Sequence, residues 1–245
     1  MNVLSIRNLS KNFGHQQIIK NLNMSVPEGS VFGFIGQNGA GKTTTMKMVL
    51  GLLQPDQGEI LVCNEPVRFG QTKTNQYIGY LPDVPEFYNY MTAIQYLTLC
   101  GEIVGLSKKI ISQKGQRLLS LVGLDGVEKR IGGYSRGMKQ KLTIIGALIH
   151  QPPLWVLDEP MVGLDPKAAH LLKEEMRRHC DAGNTVFFST HVLDVAEKLC
   201  DEIAIINKGK LIAEGTLEEL RSGEKGASLE QLFLEMTGEA EDAAL

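Results

Sequence analysis

Residues 36–45 read GQNGAGKTTT, with the run VFGFI at 31–35 before them and MKMVLGLL at 46–53 after. The apolar run predicts a strand buried on both faces, and the helical spacing from Lys42 onward predicts a helix that ends before Gln54. A glycine-rich turn joins the two. The same alternation recurs downstream. LWVL at 154–157, TVFF at 185–188 and EIAIIN at 202–207 read as buried strands, interleaved with helical patterns at 136–149, 167–180 and 192–200. GEILVCN at 58–64 and YIGYLP at 77–82 read as further strands, and VLSIRNL at 3–9 and IIKNLNMSV at 18–26 as a strand-like opening with turns at Gly14 and Pro27–Gly29. Buried strands alternating with helices predict an α/β fold around a mostly parallel sheet covered on both faces. From Met91 to Val122 the apolar residues instead fall at i, i+3, i+4 and i+7, which predicts a helical insertion.

Composition narrows the classes of function. A chain of 245 residues, 43% hydrophobic, suffices for one large or two small domains. The formal charge is -3 with no block of lysine or arginine, which argues against nucleic acid as the main partner; the basic MRRH at 176–179 reads as a solvated helix face. No signal-peptide pattern and no apolar run of about 18 residues is present, so a soluble, cytoplasmic protein is expected. The four cysteines form no C-x-x-C pair and the five histidines are scattered, which supports neither a disulfide framework nor a metal cluster.

Gly36, Gly41, Lys42 and Thr43 match G-x-x-x-x-G-K-[ST] in the strand–turn–helix context that gives the motif its meaning. Glycines let the loop curl so that successive N–H groups converge on phosphate oxygens, and the following helix turns its positive end to the same anion. Gly36, Gln37, Asn38, Gly39, Ala40, Gly41, Lys42, Thr43 and Thr44 are therefore the expected phosphate cradle, with Lys42 on the β- and γ-phosphates and the Thr43 hydroxyl available to Mg²⁺. In LWVLDEP at 154–160, Asp158 emerges where ligands sit in open α/β sheets and is the expected Mg²⁺ carboxylate, bound directly or through water. Glu159 follows it, placed to polarise an attacking water.

With these motifs in order, residues 1 to about 220 resemble the ATP-binding subunits of ABC transporters. YSRGMKQKL at 134–142 is similar to the family's signature segment, GLDP at 163–166 to its D-loop with Asp165 at the subunit contact, and FFSTH at 187–191 places His191 at its switch histidine. Phe13 falls where an aromatic ring stacks on adenine, and YIGYLPD at 77–83 corresponds to the Q-loop, with Asp83 in place of the usual glutamine. The commonest signature is Leu-Ser-Gly-Gly-Gln; here Ser135 and Gly137 are kept while Tyr134, Arg136 and Met138 differ, a form similar to subunits of ABC-2-type exporters.

The resemblance implies one ATPase domain over 1–222, with an N-terminal antiparallel β subdomain and a helical subdomain at roughly 84–135, followed by an acidic tail, 223–245, with a short helix at SLEQLFLEM. It implies Mg-ATP as the ligand, Glu159, His191 and Asp83 as catalytic groups, and Thr43, Asp158 and Asp83 at the metal. It also implies a head-to-tail dimer in which Ser135 and Gly137 meet the partner's nucleotide, and a separate membrane permease that holds the chain at the cytoplasmic face. Phe87, Tyr88 and Tyr90 in PEFYNYMT are candidate anchors for that permease. The alternative class is a non-transport ABC ATPase acting on nucleic acid or ribosomes, which usually carries a second cassette or long basic or coiled-coil insertions. NKGK at 207–210 lacks the carboxylate with which a GTPase reads guanine.

Overall fold

The structure is a computed structural model that describes residues 1–221 and 228–237. Two sheets carry it. The first is antiparallel, order β2-β1-β4-β5, built from β1 (Asn2–Phe13), β2 (Gln16–Pro27), β4 (Gln57–Val62) and β5 (Glu65–Pro66). The second has six strands in the order β10-β9-β3-β8-β7-β6, formed by β3 (Val31–Ile35), β6 (Ile78–Leu81), β7 (Leu154–Leu157), β8 (Thr185–Thr190), β9 (Glu202–Asn207) and β10 (Lys210–Thr216). Its strands pair in parallel from β9 to β6, and β10 closes one edge antiparallel to β9. All of β3, β7 and β8 is buried, as expected for strands covered on both faces.

The helices are α1 (Lys42–Val49), α2 (Ala93–Ile103), α3 (Lys108–Leu121), α4 (Arg136–Leu148), α5 (Pro166–Asp181), α6 (Leu193–Leu199), α7 (Leu217–Leu220) and α8 (Leu229–Thr237). One apolar cluster fills the space between the two sheets around Phe32, Phe34 and Phe187; a second joins Trp155, Phe188 and Met176 under α4 and α5. The helical insertion has a core of its own, in which Leu97, Ile111 and Leu119 pack with Ile131, Leu142 and Ile145. Among the described residues, no helix is long and apolar enough to cross a membrane.

Three boundaries depart from the sequence expectation. The helix predicted from Lys42 to Leu53 stops at Val49, because Gly51 at φ 67° turns the chain and donates to the Met48 carbonyl at 3.0 Å. The strand after Gly58 ends at Val62, where Cys63 and Asn64 both take positive φ. Strand β10 was not anticipated, since an edge strand half open to water has no continuous apolar run. The expected tail helix is α8, seated on α6 and β9 through Leu229 and Phe233; the rest of the acidic tail lies outside the described residues.

Candidate nucleotide-binding site

Strand β3 delivers residues 36–41 to the start of α1, and the loop closes on its neighbours. A Cβ on Gly36 would lie 2.4 Å from the Ile206 carbonyl oxygen, and one on Gly41, at φ 113°, would lie 2.5 Å from Ile19 Cδ1. Only glycine lets the backbone approach so closely. Ala40 donates to the Gln37 carbonyl at 3.1 Å and accepts from the Gly209 N–H at 3.0 Å, which ties the loop to the β9–β10 turn. Helices α2, α3, α4 and α5 each begin with a side chain accepting from their first turn, Thr92, Ser107, Ser135 and Asp165 respectively. Helix α1 begins with none, so its first-turn donors are left to an anion.

Lys42 is 6% exposed and curls back over the loop, donating to the Gly36 carbonyl at 2.5 Å and the Gln37 carbonyl at 3.2 Å. Its Nζ also lies 3.4 Å from Glu159 Oε1, and the same oxygen is 3.0 Å from His191 Nδ1. Neither contact is a well-directed hydrogen bond, since Oε1 has no hydrogen-bond partner of good geometry. His191 follows directly on β8, its side chain 43% exposed at the edge of the site.

Asp158, 1% exposed, follows β7 and donates its N–H to the Leu81 carbonyl at 2.8 Å. Its Oδ1 accepts from Ser189 Oγ at 2.6 Å, while Oδ2 is buried without a partner. An unmet buried carboxylate oxygen is costly, and a cation or a water molecule is what relieves it. Ser189 also accepts the N–H of Glu159 at 2.9 Å, and Glu159 itself is left-handed at φ 49°. The sequence reading missed Ser189. Its signal was a hydroxyl inside the otherwise apolar run TVFFS, which a fully buried strand admits only with a partner.

The cavity over the loop holds about 300 Å³ and is lined by Phe13, Asn38, Lys42, Thr43, Asp83 and Glu159 among others. Phe13 is 51% exposed and therefore not core, and Lys11 Nζ lies over its ring, 5.6 Å from the centre. Asp83 lines the same space from just beyond β6. Tyr80 sits near by: burial first, then the carboxylates of Asp158 and Asp83, push its hydroxyl up to about 12. Among the described residues, no group of three histidine, cysteine or acidic side chains could hold a metal ion unaided. A metal here would rest on Asp158, the Thr43 hydroxyl and phosphate oxygens, the ligand set that suits Mg²⁺.

Ser135 and Gly137 do not line this cavity. They open α4, where the Ser135 hydroxyl accepts from the Met138 N–H at 3.3 Å and a Cβ on Gly137 would meet nothing within 4 Å. Lys141 on the same helix lies 3.2 Å from Asp165, whose carboxyl is held below its usual range by the Ala168 N–H first and by Lys141 next. Of the three aromatic anchors expected, Phe87 belongs to the helical core, its ring 4.9 Å from Tyr96. Tyr88 and Tyr90 stay exposed, with ring centres 5.8 Å apart.

A family model described as ABC transporter matches residues 19–162, which is more than half of the chain. The chain belongs to the ABC transporter ATP-binding family. An ABC transporter ATP-binding protein of Bacillus subtilis (strain 168), YxlF, is 42% identical over 220 residues, covering 89% of this chain and 72% of that protein. The Nod factor export ATP-binding protein I of Cupriavidus metallidurans is 35% identical over 232 residues, 94% of this chain and 77% of that one. A solved structure of an ATP-binding subunit of an ABC transporter superposes with a TM-score of 0.91 at 34% identity, covering 96% of this chain and 99% of the other. The expected fold class is that of these cassettes, and the chain is an ATP-binding, ATP-hydrolysing subunit of an ABC transporter.

Proposed function

We propose that this subunit drives an exporter: Mg-ATP binds on residues 36–44, two chains close head to tail over the nucleotide, and hydrolysis reopens them against a separate membrane permease at the cytoplasmic face. One observation carries the catalytic part. Buried Lys42, half-buried Glu159 and exposed His191 meet beside an unpartnered Asp158 oxygen at the uncapped start of α1. Export is supported by the Tyr-Ser-Arg-Gly-Met-Lys-Gln form of the signature and by relatives that are Nod factor export ATP-binding proteins.

Each residue has a physical task. Phe13 offers its ring to the adenine, and the N–H groups of residues 39–44 grip the phosphates. An incoming γ-phosphate competes for Lys42 with Glu159, so binding releases the carboxylate to accept a proton from water. His191, next to Glu159, hydrogen-bonds the terminal phosphate and registers its departure. Asp158 and Thr43 would hold Mg²⁺, which neutralises phosphate charge when bound. Asp83 adds a carboxylate at the rim. Ser135 and the Gly137 N–H serve the nucleotide held by the partner chain. The domain limits are kept at 1–222 with the helical part at 84–135, whose core also takes in Leu142 and Ile145 of α4. Tyr88 and Tyr90 are the anchors left for the permease.

The test is solution mass by light scattering for Glu159→Gln with and without Mg-ATP, beside wild-type turnover. A monomer that dimerises only with ATP is expected. Wild-type turnover by Glu159→Gln would remove Glu159 from its role, and hydrolysis with no ATP-dependent dimer would remove Ser135 and Gly137 from theirs.

A further inference from the structure

Away from the nucleotide, a cleft of about 570 Å³ opens between α3 of the helical insertion and α5 of the core, within the usual size of small-molecule sites. Its rim is basic. Lys114 and Arg117 reach in from α3 and Arg178 from α5, against the single carboxylate of Glu175. Arg178 pairs with Glu175 and Lys114 donates to Gln151 at 3.0 Å, whereas exposed Arg117 has no ion pair among the described residues. Leu118, Leu121 and Leu148 supply an apolar wall, and Leu118 packs into both the helical core and the central one.

The lining also contains two polar nitrogens with nothing to bond. Trp155 and His179 stack with ring centres 3.8 Å apart and planes at 12°, and they are 3% and 7% exposed. Trp155 Nε1 and His179 Nε2 lack hydrogen-bond partners. Both nitrogens are covered from the cleft, so the stacked rings form its closed floor and the polar contacts come from the cationic rim. A phosphate monoester suits such a cleft, with its charge on the lysine and arginines of the rim and its alkyl chain on the apolar wall.

We propose that this cleft is a second binding site, for an alkyl phosphate monoester whose head rests on Lys114, Arg117 and Arg178 and whose chain lies against Leu118, Leu121 and Trp155. Occupancy would tie the helical insertion to the core at their joint. The proposal does not depend on the roles assigned at the nucleotide site. Trp155 is the chain's single tryptophan, so indole fluorescence reads this cleft alone. Octyl phosphate should give a saturable change in emission, while octanol and inorganic phosphate bind about tenfold more weakly or worse, each lacking one half of the contact.

Lys114→Glu with Arg117→Glu should weaken octyl phosphate about tenfold or more while leaving ATP binding intact, which separates lost binding from lost folding. Arg117→Glu alone, at an exposed and unpaired position, should weaken it in the same direction. A response to phosphatidic acid vesicles but not to phosphatidylcholine vesicles would make the source a lipid; a response to octyl phosphate alone would make it a soluble metabolite. No saturable change with octyl phosphate, or a double variant that titrates like wild type, overturns the proposal. Equal binding of octanol and octyl phosphate overturns it too, since the basic rim would then have no part.

Discussion

Helices α1 and α4 both begin where the sequence places an anion, and they begin differently. At α1 no side chain caps the first turn, Lys42 is buried over the loop, and Glu159, His191 and Asp158 close round the space it faces. At α4 the Ser135 hydroxyl already accepts from Met138, Ser135 and Arg136 are exposed, and Gly137 looks onto open space. One end is a site that a single chain can assemble. The other has donors without walls, and it becomes a site only when something brings the phosphate to it.

Removing the cation at α1 should give the largest effect. Lys42→Ala deletes the charge aimed at the terminal phosphates and leaves Glu159 opposing them, so ATP affinity should fall about 100-fold and turnover should reach background, given the strength of charged hydrogen bonds. Equilibrium binding of a fluorescent ATP analogue measures it. A variant that binds as tightly as wild type would mean that the loop N–H groups alone hold the nucleotide.

Glu159→Gln should lower turnover about 1,000-fold, the range of a lost general base. Its nucleotide affinity should rise, because the competing partner of Lys42 loses its charge while keeping its shape. Binding of a non-hydrolysable ATP analogue separates the two effects. Unchanged affinity would show that the 3.4 Å contact between Lys42 and Glu159 does not compete with phosphate.

Gly137→Asp tests the contrast between the two helix ends. The added carboxylate has room at α4 and is far from folding constraints, so the isolated chain should bind ATP within about twofold of wild type, as for a surface change. ATP-dependent dimerisation and turnover should be lost, turnover by about 100-fold, the scale of a misplaced transition-state donor. Loss of ATP binding by the monomer would place the α4 end within the chain's own site instead.

How much of this was legible in the sequence follows from the kind of interaction involved. VFGFI, LWVL and TVFF announced their strands because burial on both faces leaves only apolar residues, and the loop announced itself because Gly36 and Gly41 have no substitute where the backbone nearly touches Ile206 and Ile19. Edge strand β10 was harder, since it is decided by its partner β9 and not by a period along the chain, whereas the stop of α1 had a local signal in Gly51 that the apolar run around it masked. Ser189 escaped for the same reason as β10: its partners, Asp158 and Glu159, lie 30 residues away. Phe13 and Phe87 could not be told apart as aromatic residues, and tertiary packing sent one to the cavity and the other to the core.

Asp83→Gln should act more weakly. A carboxylate at the rim faces the phosphates as a like charge, so its removal should raise ATP affinity about threefold at the effective dielectric of a protein surface. Raising the salt should shrink the difference, because exposed charges are screened. An affinity change that persists at high salt would assign Asp83 a direct contact in place of a field effect.

The last effect is on stability and not on nucleotide binding, and it belongs to His179, remote from both helix ends. Burial against Trp155 lowers its imidazole from 6.5 to about 4, and the basic side chains of Lys114, Arg117 and Arg178 outnumber Glu175 around it. With the folded value depressed, the unfolded chain takes up a proton first as the pH drops. The contribution of neutral His179 is therefore complete above 6.5, declines between 6.5 and about 4, and levels off below. Urea unfolding at pH 7.5 and 4.5 should show wild type losing roughly 2 kcal/mol more than His179→Phe over that interval. The comparison cancels carboxylates that titrate in both proteins. Equal losses would mean that water reaches the ring in the folded chain, which would also weaken the case for a closed floor beneath the α3–α5 cleft.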